Sequence, residues 1–287
     1  MNELIRKLTY YAFIPTLLWS ICGSAQDVPA HAQGLSEELI SVELSPSKKQ
    51  VGVFSKKTGI NKPTKLAVLL PGHPSVVRPV VENGVMVNSR LTGNFLIRAR
   101  RFLVDENVAS LIVDCESESG NECASSYQAS RQRQEDVDKL IAEVKNRYPT
   151  IIEVWLVGTS MGTISSAFMP TYNPAAYAGA IHTAAITDPY ARGSYRELGG
   201  FDYKKVATPQ FFVHHKNDPC QLTSYQSAKS IAEKYAVPLI TVTGGGGFQG
   251  AACQAFTEHG FRGKEKEVMQ AITAIIKSGK ALQLDID

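Results

Sequence analysis

The sequence has almost no charge bias: 30 Lys and Arg stand against 27 Asp and Glu, a formal net of +3 over 287 residues. These charges are spread along the chain, which argues against a nucleic-acid or anionic-membrane surface as the partner. Metal-ligand spacing is missing too, since there is no C-x-x-C and no histidine pair at a zinc-binding interval. The glycine run Gly244 to Gly247 lacks the Lys-Ser/Thr and helix start of a phosphate-binding loop, so it reads as a flexible loop. No cofactor is therefore expected. No repeat and no break in composition asks for a second domain, and the chain is long enough to bury one sizeable core.

Long apolar runs are also scarce. The first residues carry Arg6 and Lys7, and Tyr10 to Ser24 is free of charge. A basic start, an apolar run too short for a membrane span and small residues after it predict a secretory signal peptide. Residues 1–25 are the expected signal, with cleavage after Ala25 or, at the better A-x-A match Ala30-His31-Ala32, after Ala32. Residues 33–287 would form a single domain, exported to a bacterial periplasm or the medium, with no stable membrane span once the signal is removed.

Cysteine is sparse, with five in all. Cys22 would leave with the signal, and four remain, an even number suited to an oxidising compartment. Cys115 and Cys123 flank a short polar loop and are paired locally, which leaves Cys220 with Cys253.

Strand-like and helix-like segments alternate from about Glu38. Leu39–Leu44 and Gln50–Phe54 read as a hairpin at the sheet edge. Lys65–Leu70, Val108–Asp114, Ile151–Val157, Ala178–Ile186, Gln210–His215 and Pro238–Thr243 read as further strands, several of them continuous apolar runs. Helices are expected over Asn94–Asn107, over Gln132–Tyr148 with Val137, Leu140, Ile141 and Val144 on one face, and over Tyr225–Tyr235 and Lys264–Lys277. This pattern predicts an α/β fold whose mostly parallel sheet has an antiparallel N-terminal edge and helices on both faces. No insertion is large enough for a lid domain, although the irregular stretch Thr187–Thr208, with Tyr190, Tyr195, Phe201 and Tyr203, is placed to wall one side of a site.

Gly158-Thr159-Ser160-Met161-Gly162 lies between a strand-like run and a small-residue helix start. That context predicts a nucleophile elbow, in which a strained serine projects at the end of a strand and Gly158 and Gly162 leave room for the packed backbone around it. A serine hydroxyl needs a base to take its proton, and the base needs an acid to fix its tautomer. The chain order in such sites is Ser, acid, His. Asp218 follows a strand, and His259 is the one histidine downstream of every acid candidate. Asp188 is a rival acid, while His214 and His215 sit in or beside a strand, at least one of them reading as a packed residue, and His182 lies inside a strand as well. The oxyanion donors would be the amides of Met161 and His73, the latter in the Pro71-Gly72-His73-Pro74 loop. Arg78 and Arg90, further along that loop, could meet an anionic substrate group. A Cys220–Cys253 bridge would tie the acid loop to the histidine loop.

With these residues in place the chain resembles the α/β-hydrolases from about Leu66 onward. More narrowly, it is similar to a group of exported bacterial α/β-hydrolases of undefined substrate. The resemblance rests on Gly93-Asn94-Phe95-Leu96 with Arg98, Trp155-Leu156-Val157-Gly158-Thr159-Ser160 with Gly162-Thr163, His214-His215 with Asp218 and Cys220, and Cys253 with His259-Gly260-Phe261. It implies the Ser160, Asp218, His259 triad and the cysteine pair, but no substrate. Asp114-Cys115-Glu116-Ser117 departs from the Asp-Ala-Pro-Ser-like stretch expected there. The function expected is an exported serine hydrolase that cleaves a carboxylic ester or related acyl bond of a small ester-like molecule through the triad and an acyl-enzyme. The alternatives are an acyltransferase or peptidase with the same triad, or a non-catalytic exported binding protein on the same fold.

Overall fold

The computed structural model describes residues 28–188 and 195–287. The expected signal peptide, with Cys22, lies outside the described residues, as does Tyr190. The described chain enters the fold at a short turn, Ala30–Ala32, where Ala32 is buried and His31 Nε2 lies 3.1 Å from the Met86 carbonyl oxygen.

Two long strands follow, β1 (Leu35–Ser45) and β2 (Lys48–Lys57), paired antiparallel. Next come β3 (Lys65–Leu70), the small antiparallel hairpin β4 (Val80–Glu82) and β5 (Val85–Asn88), α1 (Phe95–Arg98) and β6 (Val108–Val113). The second half continues with α2 (Ser125–Gln128), α3 (Arg131–Arg147), β7 (Glu153–Thr159), α4 (Gly162–Tyr172), β8 (Gly179–Thr183) and β9 (Gln210–His215). It closes with α5 (Tyr225–Tyr235), β10 (Leu239–Val242), α6 (Glu265–Ser278) and β11 (Asp285–Ile286).

Among the described residues the main sheet has nine strands in the order β1-β2-β6-β3-β7-β8-β9-β10-β11. From β6 to β11 all pairings are parallel, and β2 joins β6 antiparallel. The expected parallel sheet with an antiparallel N-terminal edge is therefore present.

Alternation along each strand feeds two cores. In β3, Ala67 and Leu69 join the core that contains α6 residues Val268, Ile272 and Ile276, while Leu66, Val68 and Leu70 join the core built on α3 residues Val137, Leu140 and Val144. Successive side chains point to opposite faces, so a strand covered on both sides reads as one unbroken apolar run. That is why these strands were legible, and helices lie on both faces of the sheet as expected.

Two local expectations differ. The helix expected over Asn94–Asn107 is only α1 followed by a 3₁₀ turn at Arg100–Phe102. The reason is Arg100, which turns inward and lays its guanidinium on the fully buried Glu37 carboxylate, Nε to Oε1 at 2.7 Å and Nη2 to Oε2 at 2.8 Å. Asp105 Oδ1 then accepts from the Asn107 and Val108 amides and turns the chain into β6. The β4–β5 hairpin was not anticipated, although Asn83-Gly84 at its tip is a strong turn signal, with φ of 50° and 78°.

Between β8 and β9 the described residues form only short 3₁₀ turns, at Arg196–Leu198 and Tyr203–Lys205, and no lid-sized domain. Leu198 and Tyr203 pack into the core beside α4 and α5, and of the described aromatic residues expected to wall the site only Tyr195 lines the cavity. No helix among the described residues is long and apolar enough to cross a membrane.

Candidate active site

The site forms where the strand order reverses. β3 lies between β6 and β7, and the crevice beyond the carboxyl ends of such strands is where open parallel sheets take ligands. Ser160 follows β7 directly and holds φ at +51°, a left-handed conformation that an ordinary side chain adopts only under constraint. The constraint is visible. Its amide donates to the Thr183 carbonyl on β8, and its own carbonyl accepts from the Thr163 hydroxyl at 2.5 Å and from the Thr163 amide.

Close packing explains both flanking glycines. A methyl on Gly162 would overlap the Leu70 carbonyl oxygen and come within 2.6 Å of the Pro71 oxygen. One on Gly158 would collide with Ser166 Oγ and lie 2.7 Å from the Gly162 oxygen. The elbow is thus pressed against the end of β3, with Gly72 beside Ser160, and α4 starts immediately after it.

Asp218 lies in the loop after β9 and His259 in the 3₁₀ turn Glu258–Gly260. His259 Nδ1 is 3.0 Å from Asp218 Oδ2, and the two side chains are 6 % and 0 % exposed. The other Asp218 oxygen accepts from the Cys220 amide at 2.9 Å. Thr223, fully buried, donates its hydroxyl to Asp218 Oδ2 at 2.8 Å and lies 3.0 Å from His259 Nδ1. Ser160 and His259 line one cavity of about 500 Å³ together with His73 and Met161. Neither the His73 nor the Met161 amide donates a hydrogen bond among the described residues.

The rivals are committed elsewhere. Asp188 accepts from the Ser224 amide and the Ser227 hydroxyl and so is tied to the start of α5, which Ser224 caps. Burial pushes the His182 imidazole down to about 4, and its two nitrogens face Ser166 Oγ at 2.8 Å and Gln210 Oε1 at 2.6 Å. Burial also takes His214 to about 4, and its Nε2 accepts from the Ala185 amide. His215 holds the Asp218 loop instead, its Nδ1 accepting from the Asn217 amide and its Nε2 donating to the Gly244 carbonyl.

The loops are braced by cross-links. Cys220 and Cys253 are bonded, and so are Cys115 and Cys123, as paired from the sequence. The second bridge sits against the loop after β3: the Cys123 amide donates to the Pro74 carbonyl, and Val76 packs on the two cysteines. Asp114, at the end of β6, accepts from the amides of Val77 and Arg78 at 2.6 and 2.9 Å. The departure from the expected Asp-Ala-Pro-Ser-like stretch is therefore a disulfide-closed support for the same loop.

Arg78 does not wait for a substrate anion. It is bonded to Asp114, to the carbonyls of Cys115, Glu116 and Ser117 and to Ser119 Oγ. Arg90 reaches Asn121 Oδ1. Arg98, noted only as part of the resemblance, clamps the histidine turn by donating to the carbonyls of Gly93 and Gly260 and to Glu265. Thr223 was missed, and Thr163 and Asp114 entered only through the resemblance, with no role assigned. A lone buried Thr or Asp carries no periodicity or motif, and only Asp114, at a strand end, had a positional signal.

Solved structures match this architecture over most of its length. A lidless α/β serine hydrolase from Xanthomonas campestris aligns with a TM-score of 0.53 and 14 % identity, covering 85 % of this chain and 93 % of its own. Est1E from Butyrivibrio proteoclasticus aligns with a TM-score of 0.55 and 12 % identity, covering 84 % and 98 %. An α/β-hydrolase-like protein of unknown function from Agrobacterium tumefaciens gives 0.55 and 12 %, covering 85 % and 98 %. This chain has the α/β-hydrolase fold. No protein-family model matches the sequence, and no curated protein matches it. Within the α/β-hydrolase fold, the elbow, the Asp218 loop and the His259 turn stand in the chain order Ser, acid, His.

Proposed function

We propose that the protein is a serine hydrolase that cleaves small carboxylic esters through an acyl-enzyme. The observation that carries this reading is the constellation around the cavity: a strained Ser160 and a His259 whose Nδ1 is held by the buried Asp218. With Nδ1 taken by the carboxylate, Nε2 is the nitrogen left to accept the serine proton. Ser160 Oγ attacks the acyl carbonyl as His259 takes its proton. The amides of His73 and Met161, with the N-terminus of α4 behind the serine, hold the developing oxyanion. His259 returns the proton to the leaving alcohol, and water then releases the acid from Ser160 by the same route.

The cavity favours a small uncharged acyl group. Among its described lining residues the polar side chains are amides, hydroxyls and the two histidines, and no Asp, Glu, Lys or Arg side chain is present. The lidless serine hydrolase among the structural neighbours supports hydrolysis, and Est1E has been solved with ferulic acid bound. Two disulfides and an expected leader fit an exported protein.

A panel of p-nitrophenyl esters of increasing acyl length, with a hydroxycinnamoyl ester added, tests the reading. Short-chain esters are expected to be hydrolysed fastest, with turnover lost in Ser160→Ala. Turnover unchanged in Ser160→Ala would defeat the proposal, and a preference for long-chain esters would defeat the substrate class.

A further inference from the structure

We infer that Thr223 is a fourth member of the acid–base unit, a positioning residue that fixes the tautomer of His259. The inference rests on the hydrolase reading. Three polar atoms form a nearly equilateral triangle: Thr223 Oγ1 to Asp218 Oδ2 at 2.8 Å, Thr223 Oγ1 to His259 Nδ1 at 3.0 Å, and Asp218 Oδ2 to His259 Nδ1 at 3.0 Å.

Only two protons serve these three sides, the hydroxyl proton and the one on Nδ1. The carboxylate has none to give and carries the charge, so it draws the hydroxyl proton. That orientation turns a lone pair of Thr223 Oγ1 toward Nδ1. The imidazole proton is then shared between two acceptors on one side of the ring, and a ring that moved its proton to Nε2 would lose both. The hydroxyl therefore selects the tautomer whose Nε2 is free to act as base. Burial strengthens the effect, because Thr223 is 0 % exposed and its hydroxyl has no other partner among the described residues.

Local backbone geometry delivers the hydroxyl to this place. The Thr223 amide donates to the Cys220 carbonyl, closing a turn between the acid and α5, and the Cys220 amide holds the other Asp218 oxygen. The short path Asp218–Thr223 thus carries two donors to one carboxylate, and the Cys220–Cys253 bridge anchors its middle.

The test compares Thr223→Val, which deletes the hydroxyl at constant shape, with Thr223→Ser, which keeps it. Thr223→Ala makes the same deletion should Val not be accommodated. Three readouts are taken: kcat and KM on the best ester, the low-field Nδ1 proton resonance of His259 in histidine-labelled protein, and the melting temperature. The deletion is expected to lower kcat about tenfold with KM nearly unchanged, to shift the Nδ1 resonance, and to be reversed on both counts by Ser. Wild-type kcat with an unmoved Nδ1 resonance would overturn the inference. A loss that tracks melting temperature and is not restored by Ser would overturn it equally. Absence of turnover in the wild-type protein would instead defeat the hydrolase reading, and the Nδ1 resonance would still test Thr223 by itself.

Discussion

Single side chains do two kinds of work here. Some set the site, and some hold the frame at a point where the helix pattern breaks. Glu37 and Arg100 are of the second kind. Burial alone would raise the Glu37 carboxyl, but the hydrogen bond and charge of Arg100, with the Ser55 hydroxyl and the Met86 amide, hold it below its ordinary value of 4.5. Glu37→Gln strands the buried guanidinium and is expected to cost about 3–5 kcal/mol in urea unfolding near pH 7. The sign with pH follows from the depressed value. The stabilisation is complete above the ordinary carboxylate range and is lost as pH falls through the lower folded value, so acid narrows the gap between wild type and variant. A gap that is constant down to acid pH would contradict this account. The candidate triad was legible at this scale because chain order leaves His259 as the one histidine after both acid candidates, Asp188 and Asp218. Thr223 was not, since a buried threonine is chemically silent until its neighbours are known.

At the scale of elements, the sheet was legible and the helices less so. Strands with both faces covered are unbroken apolar runs, which is why β3, β6 and β7 stand out. The segment after Asn94 carries helix-forming residues, yet it bends into a 3₁₀ turn because the Arg100–Glu37 contact outweighs propensity. The β4–β5 hairpin went unread because its strands are only three and four residues long. The tightest junction is that of β3, the elbow and α4. There Gly162→Ala is expected to destabilise by about 3 kcal/mol, the upper part of the overpacking range, because its methyl would meet backbone that cannot swing aside. Gly246→Ala is the control, since a methyl there meets nothing within 4 Å, and its cost should stay within about 0.5 kcal/mol. Urea unfolding checks both. Equal effects would show that the close approach at the elbow is not what Gly162 provides.

Across the whole molecule, the site is assembled from loops far apart in sequence and tied by two cross-links. Cys220–Cys253 joins the acid loop to the segment before the histidine turn, and Cys115–Cys123 closes the support under the loop that carries the His73 amide. Arg98 fastens that histidine turn to α1. Both disulfides were legible from loop spacing and an even cysteine count, but their mechanical division of labour was not, because it depends on which loops the sheet brings together. On the proposed reading, these loops make Ser160 a nucleophile activated by His259. Labelling of the purified, oxidised protein with a fluorophosphonate probe tests it most directly. The account predicts one covalent adduct, on Ser160, formed about 100-fold or more faster than in His259→Ala. No adduct on Ser160, or equal labelling of the wild type and His259→Ala, would contradict it.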